Sequence, residues 1–273
     1  MSDGERGRRH DNPRNVFRYG YLFSQLVRRE LRQKYKGSFL GVLWYFINPL
    51  VLMGLYGVML GPLLKAVHMP DYWLFILGGL LVWLFFQQSM LGAAVTLVEQ
   101  SALVSKVRFP RETVPAAVVT VQLVPYFSML VVVVPLALIL RSDASLAVLW
   151  LVPLTACLFA FTLGLALMAS VLHAYYRDVY PVLTAAFVPL FFISGVLFSI
   201  QRLPGLPSHP WLGPVLRWGN PIAPFIEAVR TVIYYGQTPS ATVLLYVLAA
   251  SIISLALGTA VFRRLEGELA VVL

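Results

Sequence analysis

Five cations within nine residues, Arg28, Arg29, Arg32, Lys34 and Lys36, are the densest cluster of chemically capable side chains in the chain. Guanidinium and ammonium groups at that density bind phosphate oxygens and anionic headgroups through charge-assisted hydrogen bonds. The residue types that catalysis needs are sparse. His10, His68, His173 and His209 are scattered without metal-ligand spacing such as HExxH, and Cys157 is the single cysteine. No GxxxxGK[ST] phosphate loop is present, so ATP is not bound through a Walker A site. There is no Ser/His/Asp constellation and no pair of intramembrane carboxylates for a proton relay; Glu227 is the only acidic residue near membrane depth. If the chain takes part in active transport, its energy comes from a separate chain.

The cations sit on an element whose pattern is plain. On a helical wheel Tyr19, Leu22, Phe23, Leu26, Val27 and Leu31 share one side, and Gln25, Arg28, Arg29, Arg32 and Lys36 the other. That is a helix lying in a membrane interface, cations toward the headgroups. Lys34 departs from the pattern and has to snorkel from the apolar side. The residues alone leave two readings open: a juxtamembrane anchor with positive-inside charge, or cations that also meet an anionic, lipid-linked substrate.

The rest of the chain fixes the class. Of 273 residues, 59% are hydrophobic and 12% charged, about half the charged share of a soluble domain; the mean hydropathy is +0.78. The net charge of +9 does not indicate nucleic acid, because ten of the 21 Lys and Arg residues precede Phe39 and the others are spread over short loops. Residues 1–14 are polar and expected to be disordered, with no signal peptide ahead of the first long apolar run.

Taking about 20 apolar residues per crossing, six spans fall near 40–63, 72–97, 114–140, 146–172, 182–200 and 241–262. With the N-terminus inside, cytoplasmic segments carry 16 Lys and Arg and external ones five, so both termini are expected in the cytoplasm. The expected fold is an all-α integral membrane protein with a tail (1–14), an amphipathic interface helix (15–37), a transmembrane domain (38–265) and a C-terminal cytoplasmic tail (266–273). Between the second and third spans, VEQSALVSKVRFPRETVP from Val98 predicts a short surface helix before Pro110 and Pro115. It reads either as a solvated loop or as a docking element for a soluble partner. After Ile200, prolines and glycines forbid a continuous helix up to Pro224, and 221–236 is too short to cross comfortably. One or two re-entrant or interfacial half-helices fit, serving as a gate or as an inert cap. Glu227 and Arg230, three apart, are placed to pair there.

Polar groups within the spans are few. Asn48, Gln87, Gln88 and Gln122 either join helices or line a pathway. Gly57 and Gly61 form a weak GxxxG signal. Trp73, Trp83, Trp150 and Trp211 fit an interfacial belt, whereas Trp44, Tyr45, Phe46, Phe191, Phe192 and Phe198 read either as packing or as the lining of a lumen suited to sugar rings. No internal repeat is evident, which gives no support to an inverted-repeat secondary transporter.

Four segments carry a family resemblance: RRELRQKYKGSFLGVLWYFINPL (28–50), LVSKVRFPRETVP (103–115), YYRDVYPVLTAAFVPLFFISGVLFS (175–199) and NPIAPFIEAVRTVIYYG (220–236). Together, and in this order, they resemble the membrane subunit of ABC-2-type exporters of the polysaccharide and polyol-phosphate kind, as for O-antigen and teichoic acid. The resemblance implies two copies of this chain above two cytoplasmic ATPases, with Mg-ATP in the partner and no cofactor here. It implies a polyprenyl-pyrophosphate-linked glycan as cargo, in a bacterial cytoplasmic membrane. Glu99, Gln100, Leu103, Lys106, Arg108, Arg111 and Glu112 then fall at the ATPase-coupling segment. Arg28, Arg29, Arg32, Lys34 and Lys36 fall where the lipid pyrophosphate arrives. Trp44, Tyr45, Phe46, Phe191, Phe192 and Phe198 fall on the sugar route, and Trp211, Trp218, Asn220, Glu227 and Arg230 at the external gate. Two competing readings are an ABC-2 efflux permease for a drug, antibiotic or small lipid, and a membrane-embedded transferase or scaffold, which lacks a catalytic cluster here.

Overall fold

The computed structural model describes residues 13–35, 41–60, 69–106, 109–140, 146–200, 209 and 211–269. Every regular element among them is helical. Helix α1 (Pro13–Tyr35) begins two residues before the expected start, with proline at its first position, where a missing N–H costs nothing. Its apolar face is turned to protein as well as to the interface. Leu26 is buried with Leu97, Val114, Ala117, Val171 and Phe262, and Leu22, Phe23 and Val27 pack around them.

Helix α3 (Tyr72–Glu99) is the axis of the molecule. Twenty-eight residues at about 1.5 Å each give roughly 42 Å, enough to cross a bilayer. It is apolar on every side, as a helix surrounded by others must be, and it packs against α2 (Trp44–Val58), α5 (Thr113–Val121), α6 (Leu123–Leu140), α7 (Leu151–Tyr175), α8 (Val179–Ile193) and α10 (Ala223–Ile233). Trp83, expected in an interfacial belt, is 2% exposed. It lies twelve residues into α3, at mid-membrane depth, with its ring edge-on to Phe187 and Phe191.

Among the described residues, four segments are long and apolar enough to cross a membrane: Tyr72–Glu99, Thr113–Leu140, Ala147–Tyr175 and Ala241–Leu265. The expected first and fifth spans appear as the shorter apolar helices α2 and α8. The expected third span is interrupted at Gln122, between α5 and α6. Pro125 explains the break: it has no N–H to give the carbonyl four residues earlier, and its ring crowds that carbonyl.

Helix α11 (Ala241–Leu265) runs parallel to α7. The two touch backbone to backbone at Gly164 and Gly258, where a Cβ on either glycine collides with the other helix's main chain. Ser251 and Ser254 donate to the Cys157 and Phe161 carbonyls of α7, each at 2.7 Å. Small residues and hydroxyls of this kind let membrane helices approach closely. Gly61 of the anticipated GxxxG lies outside the described residues. The C-terminal segment is anchored here, since Leu269 is fully buried.

Candidate functional site

Three groups of side chains merit attention, one at each end of the bundle and one in its wall.

At the end formed by the last turns of α3, α7 and α11, the anticipated surface helix is present as α4 (Ser101–Lys106). Glu99 is exposed, and Leu103 packs on the cluster around Leu26. Gln100 is buried; its Nε2 donates to Glu30 Oε1 of α1 at 2.6 Å and to Thr96 Oγ1 at 3.3 Å. Arg111 donates through Nη1 to the Glu266 carbonyl. Glu112 accepts from Arg263 Nε at 2.9 Å, and Tyr175 donates to the Leu265 carbonyl at 2.7 Å. Gln100, Arg111 and Glu112 therefore use polar groups to fasten the α3–α5 connection to α1 and to the end of α11. Burial and the neighbouring Glu112 raise the pKa of the Glu266 carboxyl. Arg108 and the Lys106 side chain lie outside the described residues.

At the opposite end, α9 (Leu212–Trp218) and α10 form the anticipated pair of half-helices. Helix α10 dips back among α3, α7 and α11, burying Phe225, Ile226, Val229, Val232 and Ile233. The expected Glu227–Arg230 pair is replaced by two separate arrangements. Glu227 takes a two-pronged pair from Arg217, Nε to Oε2 at 2.8 Å and Nη2 to Oε1 at 2.5 Å. Arg230, on the buried face of α10, donates Nε to Phe75 O at 3.2 Å, Nη1 to Gly195 O at 2.9 Å and Nη2 to Val196 O at 2.8 Å. Its guanidinium also lies 3.6 Å above the Phe75 ring. The fork of donors suits two carbonyls at the turn after α8 and a third on α3, the turn being one that Gly195 makes with φ +74°. Asn220 joins the same turn: Nδ2 donates to Ser194 Oγ at 2.8 Å, and Oδ1 accepts from Ile222 N at 3.3 Å. Trp218 accepts from Tyr246 O–H through its carbonyl at 2.8 Å, Trp211 is exposed, and Phe198 borders the space beside Arg230.

In the wall, the cations of α1 divide. Arg28, Arg29 and Arg32 are exposed on the helix surface, and Lys36 lies outside the described residues. Lys34 turns its ammonium inward, where Nζ donates to Gln122 Oε1 at 2.7 Å. Lys34 is exposed as a whole residue, yet desolvation of its ammonium lowers the pKa from 10.5 to about 8. Lys34, Trp44, Asn48, Gln88, Gln122 and Tyr126 line a cavity of about 270 Å³ between α1, α2, α3 and α6. Asn48, Gln88 and Gln122, read in the sequence as helix glue or pathway, thus share one space; their common address was hidden because three different helices supply them. The kink signalled by Pro125 was the available clue.

The aromatics also separate. Trp44 is half exposed beside this cavity, and Phe46 is partly buried. Phe191 packs inside the bundle against Trp83 and Tyr56, with centroids at 5.4 and 5.5 Å. Phe192, next to it, faces outward. The Tyr45 side chain lies outside the described residues. Among the described residues, no group of three His, Cys, Asp or Glu side chains is placed to hold a metal ion.

A bundle of apolar helices with a basic helix against one end and re-entrant half-helices at the other defines a polytopic membrane protein of the transporter class. The chain belongs to the ABC-2 type transporter family, which it matches over residues 21–234. It is 28% identical over 261 residues to the O-antigen export system permease protein RfbA of Myxococcus xanthus, covering 94% of this chain and 97% of that one. A Klebsiella pneumoniae protein of the same description is 25% identical over 94% and 98% of the two chains. The polysialic acid transport protein KpsM of Escherichia coli is 24% identical over 88% and 92%.

Proposed function

We propose that this chain is the membrane permease subunit of an ATP-driven exporter that carries polyprenyl-pyrophosphate-linked polysaccharide across the bacterial cytoplasmic membrane. The cargo is O-antigen, teichoic acid or a similar envelope glycan. The observation that carries this reading is near end-to-end similarity to permeases whose descriptions name O-antigen export and polysialic acid transport. The sequence adds a basic helix leading into the membrane domain and no ATP-binding loop of its own.

Two copies enclose one route, and two copies of a separate ATPase, holding Mg-ATP, sit beneath them. The α4 helix and its flanks seat in the ATPase. Closure of the ATPases moves α1 with α3 and α5 with α11, because Gln100–Glu30 joins the first pair and Glu112–Arg263 the second. ATP does work only by favouring one of two discrete states of the bundle. Exposed Arg28, Arg29 and Arg32 collect the pyrophosphate carrier, Trp44 and Phe192 face the sugar route, and the α9–α10 hairpin is the external gate. Both termini are cytoplasmic.

The test is reconstitution of the chain with an ABC ATPase that co-purifies with it from its host, in vesicles loaded with polyprenyl-linked glycan. ATP-dependent movement of that glycan across the bilayer is the expected outcome. ATP-dependent movement of small amphiphiles, with glycan left in place, overturns the reading in favour of an efflux permease.

A further inference from the structure

We propose that the cavity between α1, α2, α3 and α6 is a receptor for a single phosphoryl headgroup of a membrane lipid, with Lys34 as its cation and Asn48, Gln88 and Gln122 as its hydrogen-bonding wall. The phosphoryl site stands on geometry; only its use by the cargo's carrier rests on the glycan-export reading.

The argument begins with what lines the space. Lys34 and three amide side chains open into one cavity of about 270 Å³, in a wall otherwise made of groups such as Leu81 and Met129. Polar side chains inside a membrane domain mark pathways or ligand sites more often than chance placement. Each amide offers both a donor and an acceptor, and the ammonium offers three donors. That set satisfies an oxyanion and its ester oxygens.

Position selects a lipid over a soluble anion. Gln122 lies nine residues into the segment that begins at Thr113, about 14 Å along a helix at 1.5 Å per residue. An anion held there has its remaining atoms among apolar side chains, which suits acyl or prenyl chains. Size selects a headgroup over a polymer, since pockets for drug-sized molecules start at about 300 Å³.

Charge then selects phosphoryl. Lys34 Nζ donates to Gln122 Oε1, a neutral acceptor. A phosphate oxygen accepting the same proton makes a charge-assisted bond, about twice as strong as a neutral one. The incoming headgroup therefore displaces Gln122 from the ammonium, and the freed amide turns its N–H₂ to the same anion. Gln122 stands at the junction of α5 and α6, its backbone held by Val118, Val119 and Tyr126, so the exchange of partners is a side-chain rotation about a fixed main chain. The lowered Lys34 pKa agrees with an ammonium in a confined space that an anion would relieve.

The experiment is native mass spectrometry on the full-length chain in neutral detergent, titrated with phosphatidylglycerol, phosphatidylcholine and undecaprenyl monophosphate. One anionic lipid is retained per chain, about tenfold or more in preference to phosphatidylcholine, as expected for hydrogen bonds to a charged group. Lys34→Gln and Gln122→Leu reduce retention at least about fivefold, Lys34→Arg restores it, and Arg264→Gln, remote from the cavity, leaves it as in wild type. Thermal unfolding of each variant separates loss of the site from loss of fold. Retention of undecaprenyl phosphate alone makes this a seat for the cargo's carrier. Retention of phosphatidylglycerol alone makes it a resident-lipid site; either supports the proposal. Equal retention of phosphatidylcholine, or unchanged retention in a folded Lys34→Gln variant, overturns it. The measurement contains no glycan, so it fails or succeeds independently of the export reading.

Discussion

Gln100 Nε2 lies 2.6 Å from Glu30 Oε1, joining two residues 70 positions apart. One stands at the C-terminal end of the central helix, beside the segment proposed to meet the ATPase; the other stands on the basic helix α1. A push on α4 thus reaches α1 directly, without passing through the membrane core.

This link has a measurable energy. Gln100→Ala and Glu30→Ala each cost about 1.5–3 kcal/mol of stability, the range for hydrogen bonds to charged groups. The double variant adds little to the larger single effect. Additive losses in a thermal-unfolding cycle contradict a direct link.

Arg230 is the second prediction. Removing it by Arg230→Ala strands the carbonyls of Gly195 and Val196, takes a second donor from Phe75 O and lowers stability by about 3 kcal/mol or more. Arg230→Lys keeps the charge but loses the fork, and falls between alanine and wild type. Gly79→Ala acts on the same place, because its Cβ comes within 2.9 Å of the Val196 carbonyl and 2.5 Å of Arg230 Nη2. The melting temperatures of Gly79→Ala and Arg230→Ala are therefore predicted to be non-additive.

At the α7–α11 crossing, a methyl at Gly258 meets the Gly164 backbone. Gly258→Ala pushes the two helices apart and costs about 1–3 kcal/mol, the range for overpacking. Gly54→Ala, with open space around it, serves as the control. Equal melting temperatures for the two variants contradict the close approach.

Lys34 sets a pH dependence. Its pKa falls from 10.5 to about 8 on folding, so between these values the unfolded chain binds more protons and stability rises with pH. The gain is complete above about 10.5 and is lost as pH falls through about 8. Anion binding runs the other way, weakening above pH 8 as the ammonium loses its proton. Tyr126 is the other titratable group lining the cavity, and Glu30, one turn back on α1, is held by Gln100. Melting curves of wild type and Lys34→Met between pH 7 and 11 are expected to converge as pH rises; parallel curves contradict the assignment.

The long spans are legible because burial in a bilayer demands length and apolarity, and both are local. The expected 72–97 and 241–262 became Tyr72–Glu99 and Ala241–Leu265. The amphipathic pattern of α1 is legible for the same reason, including Lys34 as its exception. What the sequence conceals is which distant groups meet. Glu227 and Arg230 share a helical face by spacing, but α9 folds back to bring Arg217 to Glu227, while α10 presents Arg230 to the turn after α8. Trp83 reads as a belt residue by type and proves central by depth. Gln88, Gln122 and Asn48 read either as helix glue or as pathway lining; only the packing of the helices brings them into one cavity.

The central claim is polysaccharide export, and depletion of this chain in its host tests it most directly. Polyprenyl-linked glycan is then detected separately in the two leaflets of the cytoplasmic membrane. The account predicts completed polymer accumulating on the cytoplasmic face while surface polymer falls. Unchanged lipid-linked glycan in both leaflets, with new sensitivity to a toxic amphiphile, contradicts it.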